Sequence, residues 1–554
     1  MVNSRSDIFL ASWRPYLWIV LAGALLYSKT LSYSFSCLDD HILIFQRYNF
    51  LSQLSNVLQV FKERVFLDSF LPYYRPMLMV SFILDAQIGG LDLFTYHITN
   101  IAIHLVAASL LFVLLTKLGY RRSISLFFSL VFTVHPLLTQ AVAWIPGRND
   151  SMMAAFLLAS FIFFLDFLKT DRGLDYLLHM LLLILAILTK ESAFILMPIV
   201  FIYIILIHKG KVGRVDMAAL ILGYALVFIG WYFLRRDVVL DSVNMTILEM
   251  SGYVIMYLPA VVQLIGKALL PFNLTTFPIM QDTSLVYGSV AITIIVLALI
   301  LSKHKRYNYV FFGALWMIFF LLPSLIRPHA SVINDVLQHR FYISMAGFII
   351  ILMEIDFIKD SSRKGSLRTI CALAVLATLS IITLRYSNVF NNRFTFWINA
   401  VTNSPHSSYA HMALGSIYYM DGYMDIAEHE FKRSLELDRW VVRSHYYLGL
   451  IYMGRNRLAD AEREFKKEAA MHPYYDGTFF SLGGLYYIQG RLVDAETAWK
   501  KALALNPNNT EAMKNLAIYY SERGNINRSV YYVRWLKEKG ISPPAEFLKG
   551  LGVN

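Results

Sequence analysis

Long apolar runs separated by short basic clusters fill the first 387 residues, and a polar, evenly spaced pattern replaces them near residue 405. Runs such as 99–115, 176–188 and 289–301 are too long and too apolar for surface helices, so they predict membrane-spanning helices. Candidate spans fall near 15–36, 93–116, 123–145, 150–168, 174–189, 191–207, 216–235, 285–302, 309–326, 342–357 and 368–387. A further apolar stretch, 251–270, is interrupted by Pro259 and closed by Lys267, so it is expected to be re-entrant or to lie on the surface.

The basic clusters orient these spans. Arg5/Arg14, Lys117/Arg121/Arg122, Lys169/Arg172, Lys209/Lys211/Arg214, Lys303/Lys305/Arg306 and Lys359/Arg363/Lys364/Arg368 are expected on the cytoplasmic side. Alternation from a cytoplasmic N-terminus fits all six only if 251–270 does not cross. About eleven crossings then put the C-terminal domain outside the cytoplasm. On the same external face fall the loop 37–92, the turn 146–149, the turn at Lys190, the region 237–284 and the loop 327–341. The loop 37–92 is too long for a plain connector. Within it, 51–62 is spaced as an amphipathic helix, and 76–88 predicts a second helix opening on Pro76, both along the membrane surface.

Beyond 405 a 34-residue period appears. Leu414-Gly415, Leu448-Gly449, Leu482-Gly483 and Leu516-Ala517 mark it, with Tyr418, Tyr452, Tyr486 and Tyr520 following at equal offsets. Ala427, Ala461 and Ala495 come next, then Phe431, Phe465 and Trp499. This is the tetratricopeptide signature, in which small residues let paired helices approach and large ones fill the gap. The fourth repeat is degenerate (Ala517, Ser529, Val533), as a capping unit often is. Such a solenoid suits binding of a protein or peptide.

Composition narrows the class further. Of 554 residues 57% are hydrophobic and 16% charged, against about a quarter charged in a soluble domain. The net charge of +12 gathers in loops between spans, so it points to membrane orientation and not to nucleic acid. The start of the chain lacks a small-residue cleavage pattern, so no cleavable signal peptide is expected. Cys37 and Cys371 give neither a disulfide framework nor metal spacing.

The chemistry-bearing residues cluster on the external face. Asp39-Asp40 follows the first span; Asp39 can cap a helix entering His41-Ile42-Leu43, and a second acid exceeds what a cap needs. One could serve as general base toward a hydroxyl while the other orients it or holds a cation. Arg75, Arg148, Lys190 and Arg340 all stand at span ends on a face where positive charge is disfavoured, and together they suggest an anion site suited to phosphate. His97, Asn100 and His104 share a helical face, and His135-Pro136 interrupts the third span. These are candidates for a substrate pocket or for interhelical hydrogen bonds. No further ligands accompany His97 and His104 at zinc spacing.

Taken in order, LDDH, YYRPMLMVSFILD, YHITNIAIH, HPLLTQAVAWIPGRND, TKESAFILMP and HRFY, with the trailing repeats, resemble the transmembrane and tetratricopeptide-repeat O-mannosyltransferases and their bacterial relatives, within the GT-C superfamily. The resemblance covers nearly the whole chain. It implies an all-α fold: a polytopic GT-C-type membrane domain over 1–387, a linker over 388–404 and a repeat α-solenoid over 405–554. It implies a sugar donor carried on a polyprenyl phosphate and, as acceptor, a hydroxyl of an exported protein held by the repeats. Asp39 and Asp40 would be catalytic, with Asp39 the base. Arg75, Arg148, Lys190 and Arg340 would hold the donor phosphate, and His97, Asn100, His135 and Tyr342 would border the substrate pocket. Two departures stand out: His339 replaces an acid before the late arginine, and Gln140 replaces the Glu of an HPxxTE motif.

The expected function is an inverting glycosyl transfer in protein O-glycosylation, with a mannose-like sugar. No cofactor is required; a divalent metal is compatible with these residues but not indicated. The partners are the lipid-linked donor, the exported acceptor and the bilayer. The expected location is a bacterial inner membrane with periplasmic repeats, or the endoplasmic reticulum with lumenal repeats. Two rivals are a polysaccharide polymerase or ligase acting on lipid-linked glycans, and a non-enzymatic membrane-anchored assembly platform. The first expects its large external loop late in the membrane domain; the second predicts indifference to changes at Asp39 or Asp40.

Overall fold

A computed structural model describes residues 10–66, 73–210, 212–239, 246–326, 337–359, 365–538 and 540–541. Arg5, Lys211, Arg363 and Lys364 of the basic clusters, and parts of the loops 37–92, 237–284 and 327–341, lie outside these residues. Every regular element among the described residues is helical. The chain divides into two units, Met1–Ser404 and Pro405–Asn554.

Among the described residues of the first unit, six helices are long and apolar enough to cross a membrane. A seventh crossing results if Arg122–Val134 and Pro136–Ala143, bent by 50° at their junction, form one span. This is fewer than the eleven expected from hydropathy. The first helix, Arg14–Tyr27, is only 14 residues long, and the helix Ser344–Leu352 only nine. The helix Ile247–Leu269, expected not to cross, is itself among the long apolar ones. A Thr246–Glu249 capping box fixes its start, and Pro259 is accommodated inside it.

The core centres on the helix Arg148–Thr170, whose Met153, Leu157, Phe161 and Phe164 are buried among Leu93–Lys117, Gly173–Thr189 and neighbouring helices. The helices Tyr307–Leu325 and Ser344–Leu352 cross where Gly313 meets Gly347. A Cβ on Gly347 would lie 2.5 Å from the Gly313 carbonyl oxygen, so only glycine allows this backbone contact. Helix Val286–Leu301 turns Val290, Ile294, Leu297 and Leu301 outward along one face. Such a stripe is suited to hydrocarbon and not to water.

The loop 37–92 is less regular than expected. Residues 51–62 do not form one amphipathic helix; they break into short 3₁₀ turns, Leu54–Val57 and Gln59–Lys62. The second expected helix is present as Pro76–Gly89, opening on Pro76 and ending at Gly90 with φ 63°. The stretch 388–404 is not a free linker. Asn392 and Thr395 cap the helix Arg393–Asn403, whose Phe396 and Trp397 are buried within the first unit.

The described residues of the second unit form four helix pairs, Ser408–Met420 with Met424–Leu437, Ser444–Gly454 with Leu458–Met471, Asp476–Ile488 with Leu492–Leu505, and Thr510–Glu522 with Ile526–Glu538. A Cβ on Gly415, Gly449 or Gly483 would press within 3 Å of Phe431, Phe465 or Trp499 respectively. In the fourth pair the same register carries Ala517 and Val533, both buried, with a larger residue at the glycine position and a smaller one at the aromatic position.

Candidate active site

The two acids after the first helix divide their roles by geometry. Asp40 is 2% exposed and accepts four hydrogen bonds: Ser36 N at 2.6 Å, Ser36 Oγ at 2.9 Å, Leu38 N at 3.2 Å and His41 N at 3.0 Å. Cys37 between those donors takes φ 57°, and this left-handed residue lets the flanking N–H groups converge on one carboxylate. Asp40 is therefore the structural acid, and the helix-capping role falls to it and not to Asp39. Its neighbour Asp39 is half-buried and accepts no hydrogen bond from the described residues. Burial first, and then the adjacent Asp40 charge, push Asp39 up to about 7, against the fields of Arg75 and Arg340. A carboxylate without fixed partners, near two guanidiniums, has the placement a general base needs.

The acidic turn is braced from residues 388–404. Trp397 Nε1 donates to the Ser36 carbonyl at 3.1 Å, and Ser34 N donates to the Asn391 carbonyl at 2.8 Å. Tyr33 Oη donates to Asn388 Oδ1 at 3.2 Å.

Around Asp39 the cations are held by acids the sequence reading left without roles. Arg75 Nε lies 3.4 Å from Glu191 Oε2, and its guanidinium stacks 4.3 Å from the Tyr73 ring. Lys190 Nζ donates to both oxygens of Asp150 at 2.7 and 2.8 Å, and His339 Nε2 stands 3.8 Å from the same carboxylate. Arg340 is half-buried, and its charge is felt by Tyr73, Asp150, Arg75 and Tyr257. Arg75, Lys190 and Arg340 thus share one neighbourhood with Asp39. The signal for the missed acids was in the motifs: IPGRND and TKES set an acid beside or near each base. Among the described residues no three His, Cys, Asp or Glu side chains converge as a metal site requires.

Arg148 does not join this group. It is 0% exposed, pairs with Asp85 at 2.6 Å, and donates to Asn100 Oδ1 at 2.6 Å, Tyr96 O at 2.7 Å and Ser81 Oγ at 3.1 Å. A phosphate cannot reach it. Asn100 in turn donates to the carbonyls of Val142, Trp144 and Ile145, pinning the turn that precedes Arg148. Gly147 completes that turn, since a Cβ there would lie 2.5 Å from Gln140 O. The motif HPLLTQAVAWIPGRND is therefore a packed corner that fixes where Asp150 emerges.

The remaining pocket candidates are mostly interhelical ties. His135 Nδ1 accepts from Leu137 N, and its Nε2 lies 3.0 Å from Ala268 O. Tyr342 is fully buried, 2.6 Å from His104 Nδ1, while His104 Nε2 lies 3.0 Å from Thr133 O. His97 differs: it is buried edge-on against Tyr33, and among the described residues neither ring nitrogen has a partner in good hydrogen-bond geometry. Gln140 reaches Thr276 O through its side-chain amide at 3.2 Å.

Tetratricopeptide repeat profiles match residues 478–509 and 498–531. Over 380 residues the chain is 24% identical to protein O-mannosyl-transferase F38B6.6 of Caenorhabditis elegans, covering 66% of this chain and 54% of that one. It is 30% identical over 140 residues to human protein O-mannosyl-transferase TMTC3, covering 25% of this chain and 15% of that one. Against human TMTC1 it is 35% identical over 103 residues, 18% of this chain and 11% of that one. The chain spans about half the length of the nematode relative. A crystal structure of MamA aligns with 28% of this chain and 91% of its own at 20% identity and a TM-score of 0.25, too low to bear on the fold. The chain is thus similar, over part of its length, to several proteins described as protein O-mannosyl-transferases, and tetratricopeptide profiles match its C-terminal repeats.

Proposed function

We propose that the first unit transfers a sugar, mannose or a close analogue, from a polyprenyl-phosphate donor to a hydroxyl of a protein acceptor. The acceptor oxygen attacks the anomeric carbon opposite the phosphate, its proton passes to Asp39, and the bond to the phosphate oxygen breaks with inversion. The departing lipid phosphate gains negative charge, which Arg75 and Arg340 stabilise. The reading rests chiefly on one observation: Asp39 carries no hydrogen bond from the described residues, yet it feels both arginines. The names of the relatives support the class of reaction and the mannosyl group. We infer from the basic clusters that Asp39 faces the non-cytoplasmic side, a periplasm or reticulum lumen, with eleven apolar segments crossing. The repeats would bind the acceptor and raise its concentration near the tethered site.

The test is Asp39→Asn in the purified full chain, given polyprenyl-phosphate mannose and an acceptor protein. Loss of a general base should lower kcat by about 10²–10⁴-fold with the donor still bound. Full turnover in this variant removes Asp39 from the role of base.

A further inference from the structure

A polar cavity of about 220 Å³ opens between the helices Ile247–Leu269 and Val286–Leu301, and Asp39, Arg75 and Arg340 are not among its lining. Gln263 and Lys267, one helical turn apart, line it together with Thr275, Thr283 and Asn403. Gln263 is 4% exposed, and its Nε2 has no hydrogen-bond partner among the described residues. A buried amide donor without an acceptor is costly unless a ligand supplies one. Lys267 has no carboxylate partner among the described residues. With the Gln338 amide turned so that its oxygen faces the donors, that oxygen accepts from Lys267 Nζ at 3.0 Å and from Thr275 N at 3.2 Å. One neutral acceptor leaves the lysine's charge uncompensated. A lysine without a carboxylate and an amide without an acceptor, both in the wall of one cavity, call for an anionic oxygen ligand.

The mouth says where that ligand comes from. Phe272 and Tyr287, 41% and 44% exposed, pack edge-on with ring centroids 4.6 Å apart. They stand at the start of Val286–Leu301, whose outward row of Val290, Ile294 and Leu297 suits lipid tails. Aromatic residues at the end of a lipid-facing helix mark the headgroup level of a bilayer. Gly266 and Gly288 bring the two helices into backbone contact, a Cβ on Gly266 falling 2.7 Å from Gly288, so the cavity has a fixed floor.

We propose that this cavity binds the phosphodiester headgroup of a membrane lipid, with Lys267 and Gln263 donating to its phosphate oxygens and the acyl chains lying along Val290, Ile294 and Leu297. Asp282 also lines the cavity. With one lysine and one carboxylate in the wall, a singly charged diester suits it better than a doubly charged monoester. The site is separate from sugar transfer, although Gln338 links Lys267 to the turn that carries Arg340.

Delipidated full-length protein in detergent is titrated with palmitoyl-oleoyl-phosphatidylglycerol, and bound lipid is counted by native mass spectrometry. Lys267→Met and Gln263→Leu should each weaken one binding event by about tenfold, as for loss of one charge-assisted hydrogen bond. Lys267→Arg should keep it. Equal affinity in all variants overturns the proposal. Displacement by dioleoylglycerol, which lacks phosphate, also overturns it. Displacement by inorganic phosphate at equal concentration would assign the site to a soluble anion and overturn the lipid source. If Lys267→Met does not fold, Gln263→Leu, which removes no charge, carries the comparison. Asp39→Asn protein should bind lipid as the wild type does, so this outcome stands apart from that of the transfer reaction.

Discussion

Lys190 Nζ donates to both oxygens of Asp150, at 2.7 and 2.8 Å, and so it is already committed to a nearly buried carboxylate. This favours a supporting role over that of a free phosphate anchor. Lys190→Met should leave Asp150 buried without its main cation and cost about 3–5 kcal/mol of stability. The double variant Lys190→Met/Asp150→Leu should recover most of that. His339, held down to about 4 by burial, with Lys190 and Arg75 adding to the effect, faces the same carboxylate. Without Lys190 it should take a proton more readily, so the loss should shrink toward acid pH. Thermal unfolding in detergent across pH checks both; an unchanged melting temperature with only a raised donor KM would make Lys190 a phosphate ligand.

Asp39 gives the transfer reaction a pH signature. Burial and the Asp40 charge raise it to about 7 from an ordinary 3.8, and the base works only when ionised. kcat/KM should rise with pH to a midpoint near that value and then level off. Arg75 lowers the Asp39 value, so Arg75→Gln should move the rising limb to higher pH. Stability runs the other way. The folded chain keeps this proton up to about 7 while the unfolded chain sheds it near 3.8, so the contribution is full below 3.8 and lost as pH rises through 7. Asp39→Asn, always neutral, should therefore gain in melting temperature relative to wild type across that window.

Arg148 offers the sharpest contrast with a substrate-binding arginine. Its guanidinium serves Asp85, Asn100, Tyr96 and Ser81 at once, with Phe82 beneath it at 5.0 Å. Lysine cannot reproduce that fork. Arg148→Lys should lower stability by about 3–5 kcal/mol, because it strips buried partners of their donors. The donor KM of whatever protein folds should remain near wild type. A stable variant with a much higher donor KM would return Arg148 to the binding site.

How far the sequence could be read follows from these particulars. The repeats were legible because Gly415, Gly449 and Gly483 each need a large partner at one fixed offset, and such spacing survives in one dimension. The acids were legible as a pair, but their division depends on the left-handed Cys37, which no local pattern announces. Hydropathy located apolar segments without locating their ends: it ran through Tyr27 and across the bend at His135. Arg148 suggests a phosphate ligand in sequence because it stands, with three other bases, at a span end on a face where positive charge is disfavoured. Asp85, an acid inside the apolar run FILDAQI, was the available sign that a buried cation must meet it. Residues 388–404 read as a connector because Asn391, Asn392 and Arg393 make them polar, although Phe396 and Trp397 are core.

Trp397 turns that last misreading into a test of whether the site depends on its brace. Its indole donates to the carbonyl of Ser36, the residue whose own N–H and hydroxyl hold Asp40, and Asp40 adjoins the base. Trp397→Phe keeps most of the buried ring while deleting that hydrogen bond, so about 0.5–1.5 kcal/mol of stability should be lost. A turn freed from this support would let Asp39 drift from the line of attack, and displacement of a base acts on the transition state more than on the bound donor. kcat should therefore fall by roughly tenfold or more with donor KM little changed. Steady-state kinetics of Trp397→Phe beside Asp40→Asn decide it, since both loosen the same turn from opposite ends. If kcat holds in the first and falls only in the second, the brace stabilises the fold without positioning the base.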